Sequence, residues 1–430
     1  MSQAASAFFC LLFLVSLLPA TSAAAQGVTP VPAPDQTDAS DHGKATSHDG
    51  NAPPAVEQRE KTTPAIKLSA LYTAELWRNV DGGVSTGGRY LDNLDLTLTI
   101  DAGQALGWHG ATFFVYGLYN NGRAFSGDLV GDAQIVSNIE TGVKAVRLYE
   151  AWVEQRLASD HASIKFGLYD LNSEFDTTDV GSLSLLSSHG IGPEFGQSGR
   201  NGPSIFPVTS LALRGEAKVG AHWVVRLAAL DGVPGDPDHP ARTAIKLSRH
   251  DGGLIVGETS YVGTATKATI GYWRYTAAFA LLDDAGYRGH GNDGAYLVVE
   301  HRLLRTGPTR GDAKPGLAVF AQLGLADARY NRIRHYASGG LVYTGLLRAQ
   351  WDDRIGVTLA RAWFGEPFLH SIGTVRDDRR SAETVVELTY RSPLARWLTI
   401  QPDLQYIFCP GPTHTAGHAL VSGVRFELGF

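Results

Sequence analysis

The sequence predicts an all-β fold, a transmembrane up-and-down antiparallel β-barrel of about 16 strands with short periplasmic turns and long outer loops. Three observations predict it. Apolar and polar residues alternate in segment after segment from residue 65 onward, the connections between these segments alternate between short and long, and the last segment keeps its alternation up to Phe430. Strands of such a barrel alternate because one face meets lipid and the other meets water.

Composition agrees with β structure and excludes other classes of protein. The 430 residues include 49 glycines and one methionine, and aromatic residues make up 10% of the chain. This composition is typical of strands and turns and unlike that of helical bundles. From residue 65 onward, no apolar run approaches the roughly 20 residues that a membrane helix needs. The formal net charge of -6 gives no basic surface, so nucleic acid is not expected as a partner.

Residues 1–25 have the features of a secretory signal peptide. The apolar run from Ala7 to Leu18 is too short to span a bilayer, and small residues follow it up to Ala25. Cleavage near Ala25 removes Cys10 and leaves Cys409 as the one thiol, so no internal disulfide is expected. We therefore expect an exported chain.

Residues 26–64 are rich in Pro, Ser, Thr and Asp and nearly free of large apolar side chains. Such a segment cannot bury enough apolar surface to offset the entropy lost on ordering, so we expect it to be flexible. A partner-binding arm is the alternative interpretation. Residues 65–430 are then expected to form the barrel.

The alternation predicts which face of each strand meets lipid. In "SIKFGLYD", Phe166 and Leu168 are expected to face lipid, whereas Lys165 and Tyr169 face a water-filled lumen. A soluble β-sandwich also has strands with one apolar face, so alternation alone does not choose between the two folds. The connections do, because they are long at "NNGRAFSGDLVGDAQIVSNIETG" and short at "ASDHA", and this contrast repeats along the chain.

The carboxy-terminal strand "VRFELGF" explains why the chain stays regular to its end. Its apolar residues Val424, Phe426, Leu428 and Phe430 fall on one face. A barrel in lipid has no free edge, because unpaired backbone groups find no partner there. The last strand is therefore expected to pair with the first. A terminal strand of this kind resembles the assembly signal of bacterial outer-membrane proteins.

Five segments, in this order, resemble the carbohydrate-selective porins of the OprB type. They are "GRYLDNLDLTLTIDAGQALGWHGATFFVYGLYNNG", "RLYEAWVEQRL", "SGRNGPSIFPVTSLALRGE", "LAALDGVPGDP" and "WLTIQPDLQYIFCPGP". The resemblance covers nearly all of the chain after residue 64. It implies a sixteen-stranded porin that passes small carbohydrates across a bacterial outer membrane, in contact with outer-membrane lipid, and it leaves a homo-oligomer open. At Cys409 the family leads us to expect Asn.

One strand carries an aromatic ring between charged groups on its wet face. Along "RLYEAWVEQR", the alternation places Tyr149, Ala151 and Val153 on one face and Glu150, Trp152, Glu154 and Arg156 on the other. Such a ring suits a sugar, which has an apolar face and a rim of hydroxyls. The candidate lumen contacts are therefore Glu150, Trp152, Glu154, Arg156, Lys165 and Tyr169. The competing interpretation is that charges face water in any porin and that Glu150 and Glu154 form ion pairs within the wall.

No catalytic residue, cofactor or metal site is expected. "DLNSEFDTTD" resembles a calcium loop, but Phe175 occupies the place of the required glycine, so we expect a solvated outer loop or a loop folded into the pore. "HTAGH" falls in a Pro/Gly-rich loop and not on a helix. The alternative function is a secreted or membrane-embedded β-protein with lectin or hydrolase activity that uses Glu150 and Glu154.

Overall fold

The computed structural model describes residues 64–306, 315–347, 352–373, 380–413 and 417–430. Within these residues, sixteen antiparallel strands close into a barrel in which each strand pairs with the next barrel strand along the chain. The predicted up-and-down barrel and its strand number are confirmed. The predicted signal peptide and residues 26–63 lie outside the described residues, as does His414 of "HTAGH".

The barrel strands run in chain order around the wall, and two further short strands form a separate sheet. The strands are β1 Ile66–Gly82, β2 Gly87–Asp101, β3 Ala111–Asn120, β4 Ala145–Leu157, β5 Ala162–Tyr169, β6 Ser210–Val219, β7 Trp223–Asp231, β8 Gly253–Val262, β9 Thr266–Tyr275, β10 Phe279–Ala280, β11 Arg288–Gly289, β12 Asp293–Arg305, β13 Gly316–Ala326, β14 Ile333–Thr344, β15 Arg354–Phe364, β16 Ala382–Ala395, β17 Leu398–Phe408 and β18 His418–Gly429. The separate sheet consists of β10 and β11.

The helices in the described residues are all short. The α-helices are α1 Ala102–Leu106, α2 Pro193–Gly196 and α3 Glu366–Ser371, and single helical turns occur at Ser126–Val130, Leu171–Ser173, Gly181–Leu183 and Ser187–His189. In the part of the chain that the structure describes, no helix has the length and apolar character needed to cross a membrane.

The connections alternate in length as predicted. At one end, five connections are long and span residues 121–144, 170–209, 232–252, 276–292 and 365–381, and three are shorter, at residues 83–86, 327–332 and 409–417. At the other end, four are short, at residues 158–161, 220–222, 263–265 and 396–397, and two are somewhat longer, at residues 102–110 and 345–353. The connection between Arg305 and Gly316 lies at the short-loop end and is longer than a tight turn. Because outer-membrane barrels have short periplasmic turns, the long-loop end is the outer end.

The first and last strands close the barrel. The pairing of β1 with β18 runs from Leu71 with Gly429 to Gly82 with Ala419. Beyond it, Phe430 N donates to Ala70 O at 2.9 Å, and Ala70 N donates to Phe430 O at 3.2 Å. The predicted pairing of the last strand with the first is therefore confirmed, and it includes the final residue.

The wall side chains of β5 follow the predicted faces with one exception. Phe166 is 51% exposed on the outer surface, whereas Lys165 is 5% exposed. Leu168 has the same parity as Phe166 but is only 4% exposed, so the expectation that it faces lipid is wrong. The pairs between β4 and β5 begin with Ala151 and Leu168, so β4 extends beyond the end of β5 toward the outer end. Leu168 therefore borders a gap in the wall.

The β7–β8 loop, residues 232–252, covers this gap. Thr243 Oγ1 donates to Leu148 O of β4 at 3.1 Å, and the Arg147 guanidinium donates to Pro240 O. The loop thus supplies partners to a stretch of β4 that has no neighbour in β5.

A β-bulge changes the face of one residue in β4. The register between β3 and β4 shifts so that Tyr149 is an extra residue, and Tyr149 and Glu150 follow each other on the inner side. The Tyr149 hydroxyl donates to Asp170 Oδ2, just beyond β5, at 2.7 Å. The expectation that Tyr149 shares the outward face of Ala151 and Val153 is therefore wrong.

Cys409 follows β17 and has a φ of 55°, in the left-handed region. Residues with a Cβ adopt this region at a cost, and Asn adopts it more readily than most. This conformation gives a physical reason for the Asn that the family resemblance leads us to expect at this position.

Leu227 lies at the middle of β7 and is exposed on the outer surface. Leu227→Lys should destabilise the barrel by about 2–4 kcal/mol, because it places a charge against the hydrocarbon. Leu106→Lys, in the exposed α1 helix at the periplasmic end, should change stability by less than about 0.5 kcal/mol. Denaturant unfolding of protein refolded into lipid vesicles measures both, and equal effects would contradict the assigned outer face.

Candidate functional site

Two long loops fold into the barrel instead of extending away from it. They are the β3–β4 loop, residues 121–144, and the β5–β6 loop, residues 170–209. Backbone amides and hydroxyls of both loops donate hydrogen bonds to glutamates on the wall. The segment "DLNSEFDTTD" belongs to the β5–β6 loop, so of the two expectations for it, the loop folded into the pore is correct.

The β5–β6 loop is held by three wall glutamates on β8, β12 and β16. The hydrogen bonds run from Asp176 N to Glu258 at 3.0 Å, from Thr178 Oγ1 and Val180 N to Glu300 at 2.7 and 2.6 Å, and from Leu185 N to Glu387 at 2.6 Å. Ser184 Oγ also donates to Glu387. Hydrogen bonds to an ionised acceptor are stronger than neutral ones. The loop is therefore fastened along the inner wall past several strands.

The β3–β4 loop is held in the same way. Ala133 N and Gln134 N donate to the Glu383 carboxylate at 2.8 and 3.0 Å, and Ser137 Oγ donates to Glu75 at 2.6 Å. The two loops also contact each other, since Asn138 N donates to Leu185 O at 2.9 Å. Together they narrow the lumen that the sixteen strands enclose.

An ionic cluster fixes the start of the β5–β6 loop to the wall. Glu174 of the loop lies 2.6 Å from Lys165 Nζ of β5 and 2.6 Å from Arg214 Nε of β6, and the Tyr169 hydroxyl donates to it at 2.7 Å. Arg214 also reaches Glu154 of β4 at 2.8 Å. Burial alone would raise the pKa of Glu174, but the hydrogen bond from Arg214 and the charges of Lys165 and Arg214 lower it to about 2. The carboxylate is therefore ionised at neutral pH.

Trp152 lies between two neighbours on the inner wall. Phe114 of β3 stacks on its ring with centroids 4.9 Å apart and planes 25° apart, and Lys165 Nζ of β5 lies 4.2 Å from the ring centre. Because β3 and β5 flank β4, these groups cover opposite faces of the ring. The indole Nε1 donates to Glu150 at 3.1 Å. The ring edge is the part that a molecule in the lumen can reach.

The structure brings five of the six candidate residues together. Glu150, Trp152, Glu154, Lys165 and Tyr169 are linked by the contacts described above. Glu150 further accepts the Asp170 backbone N–H at 3.0 Å, at the point where the β5–β6 loop leaves the wall. Arg156 lies apart, near the short β4–β5 turn, with its guanidinium 3.6 Å from Asp160.

Three residues of this site were not found from the sequence. Arg214 lies on the polar face of "LALRGEAKV", so its alternation could have identified it. Phe114 lies in "ATFFVYG", where apolar residues occupy both faces and hide the inward one. Glu174 lies in a loop, where no periodicity shows which way a side chain points.

The β5–β6 and β3–β4 loops each carry a buried acid. Burial raises the pKa of Asp176 to about 7, and the charge of Glu258 adds to this while a hydrogen bond from Gly192 N opposes it. Burial and the charge of Glu383 also raise the pKa of Asp132 to about 7. Both loop acids are therefore harder to ionise than an acid in water. Across the described ranges, no group of three or more His, Cys, Asp or Glu is arranged to hold a metal ion.

A closed sixteen-stranded barrel, narrowed by inward loops and lined by ion pairs and aromatic rings, is a diffusion porin. A family model described as "Carbohydrate-selective porin, OprB family" matches residues 85–430. Porin B of Pseudomonas aeruginosa is 26% identical over 398 residues, which cover 84% of this chain and 86% of that protein. The chain belongs to the carbohydrate-selective porin family.

Solved structures support the fold. The high-pH structure of Pseudomonas putida OprB aligns with a TM-score of 0.74 at 23% identity and covers 85% of this chain and 94% of that chain. The low-pH structure of the same protein aligns with a TM-score of 0.54 at 20% identity, over 85% and 93% of the two chains. The protein is a passive carbohydrate channel of the bacterial outer membrane, not an enzyme, and the alternative of a lectin or hydrolase is set aside.

Glu300→Ala should loosen the β5–β6 loop. It removes the acceptor for Thr178 and Val180, and a buried donor left unpaired costs about 1–3 kcal/mol. We expect higher single-channel ion conductance and faster proteolysis within residues 171–190. Glu427→Ala is the matched control, since Glu427 pairs with Arg391 of the wall at 2.8 Å. Wild-type conductance and proteolysis in Glu300→Ala would show that this anchor does not hold the loop.

Asp176→Asn should weaken the dependence of stability on pH. The pKa of Asp176 is raised from 3.8 to about 7 in the folded protein, so folding favours the protonated form. The free energy of unfolding should therefore fall as the pH rises through this window, and the Asn variant should show a smaller fall. Unfolding midpoints in detergent across this pH range measure it, with the exposed Asp160→Asn as the control. An unchanged slope in Asp176→Asn would contradict the assignment.

Proposed function

We propose that carbohydrates crossing this channel contact the inner wall at the candidate site, at the edge of Trp152 and at the carboxylates beside it. This proposal rests on the exposed fraction of each charged side chain in the site. The side chains of Glu154 and Glu174 are 22% and 18% exposed, whereas those of Lys165 and Arg214 are 6% and 2% exposed. The acids, and not the bases, face the passing molecule.

Carboxylates suit sugar hydroxyls because an ionised carboxylate only accepts hydrogen bonds and each hydroxyl can donate one. Arg214 donates one hydrogen bond to Glu154 and leaves further lone pairs of that carboxylate available, whereas Glu174 accepts four hydrogen bonds from Lys165, Arg214 and Tyr169. Lys165, Arg214 and Tyr169 then act as positioning residues, since they set where the acceptors of Glu154 and Glu174 lie. Contacts of this kind are individually weak, and a channel needs weak binding so that the sugar can leave.

The Trp152 ring contributes its edge and not a free face, because Phe114 and Lys165 cover its faces. Glu150 holds the indole through Nε1 and so fixes the ring orientation. Arg156 lies outside this group and is proposed only as a charge near the periplasmic exit.

The outward-facing apolar residues of the strands, such as Phe166 and Leu227, are proposed to contact outer-membrane lipid. A homo-oligomer stays a prediction, and the mass of the detergent-solubilised protein tests it.

Trp152→Ala should leave ion conductance level or raise it, because the lumen gains room, and should reduce the blockade of that conductance by small sugars. Trp152→Phe should retain part of the blockade, because a ring edge stays in place. Single-channel recording with a panel of sugars measures both effects. Trp223→Ala, at an exposed position on the outer face of β7, is the matched control and should behave as wild type. Undiminished blockade in a folded Trp152→Ala barrel would move sugar contact elsewhere.

A further inference from the structure

Two adjoining pockets lie at the outer end of the barrel, beside the β7–β8 loop. The first is basic, has a volume of about 520 Å³, and includes Arg200, Arg249, His250, Arg288 and His290 in its lining. The second is mostly apolar and has a volume of about 570 Å³. Arg249 and Gly252 line both pockets, so the two pockets adjoin at these residues, and together they are called the depression below.

The apolar pocket opens on the lipid-facing wall. Phe166 of β5 pairs with Leu213 of β6, and Leu213 pairs with Ala229 of β7, so the three side chains share the outward face. Leu247 of the β7–β8 loop lines the pocket from the other side. The result is an apolar groove formed by the wall on one side and by the loop on the other.

The positive charge of the arginines in the basic pocket is only partly neutralised by acidic residues. Arg200 is paired with Asp251 at 2.7 Å. Arg288 donates to the Ala278 carbonyl at 2.6 Å, which leaves its charge in place. In the part of the chain that the structure describes, no hydrogen bond or ion pair is assigned to the Arg249 guanidinium. Guanidinium groups in this arrangement suit the oxygens of a phosphate.

We propose that these joined pockets bind a phosphorylated lipid of the outer leaflet. Its phosphate lies between Arg249 and Arg288, and one acyl chain lies in the groove of Phe166, Leu213 and Leu247. A lipid uses both parts of the depression, whereas a soluble sugar phosphate would use the basic pocket and leave the apolar groove empty. The position agrees, because both pockets lie at the outer end and the apolar one opens on the lipid-facing wall.

The test uses the full chain in detergent micelles, titrated with diphosphoryl lipid A, with the bound fraction read by native mass spectrometry. The double variant Arg249→Glu and Arg288→Glu should bind lipid A at least about tenfold more weakly than wild type, because each basic group near an anionic lipid contributes and each reversal adds repulsion. The matched control reverses Lys67 and Lys218, exposed at the periplasmic end, and should bind as wild type.

A second pair of variants tests the groove and does not alter charge. Leu247→Ser should weaken binding of lipid A, whereas Leu347→Ser should not, although both leucines are well exposed, at 65% and 71%. Unboiled gel migration confirms that each variant is folded. Equal lipid A binding by wild type and the Arg249/Arg288 variant would overturn the proposal. Competition by inorganic phosphate or glucose 6-phosphate as strong as that of lipid A would also overturn it, since the site would then serve a soluble anion.

Discussion

The hydrogen bonds between wall glutamates and loop amides determine the shape of this channel. Sixteen strands alone enclose a wide aqueous lumen, and what narrows it is two loops that would otherwise extend into solvent. Apolar contact favours packing of the loops on the wall, as where Phe125 and Leu185 join a buried cluster with wall residues such as Trp77 and Phe364. Such contact is not directional. The hydrogen bonds to the glutamates are directional. Because each glutamate accepts hydrogen bonds from particular loop donors, it determines which loop residue lies beside which strand.

The early end of β5 makes the site possible. Because this strand stops at Tyr169, the chain can turn inward partway along the wall, and Lys165 and Glu174 meet within a few residues of that turn. The same early end leaves part of β4 without a neighbour in β5. The β7–β8 loop supplies hydrogen-bond partners to that part of β4.

The fold could be predicted from the sequence because the alternation of apolar and polar residues is a local pattern that repeats in strand after strand. The alternation of apolar and polar residues in "SIKFGLYD" or "VRFELGF" indicates which face of that strand meets lipid, and it does not depend on the identity of the neighbouring strands. The alternation predicted the wrong face only where a residue's position depended on a part of the chain distant in sequence. Tyr149 changed face because of a bulge, which depends on the register with β3, and Leu168 is covered by a loop distant in sequence.

Part of the candidate site could be predicted from the sequence for the same reason. Its wall residues, from Glu150 to Tyr169, followed from the alternation of two strands, and five of these six came together. Glu174 did not follow, because a loop residue has no periodic neighbour and its position depends on Arg214 and Lys165, which come from two different strands. The covered faces of Trp152 did not follow either, since they depend on how β3, β4 and β5 lie side by side.

The contact between Ala70 and Phe430 has a consequence for the time course of assembly. The wall cannot close until β18 has been synthesised, because β18 is the partner of β1. Contacts between residues so distant in sequence form slowly, since the intervening chain must be ordered first. Until then both edge strands offer unpaired amides and carbonyls to any neighbouring chain. The polypeptide therefore becomes a closed channel only when β1 and β18 have paired.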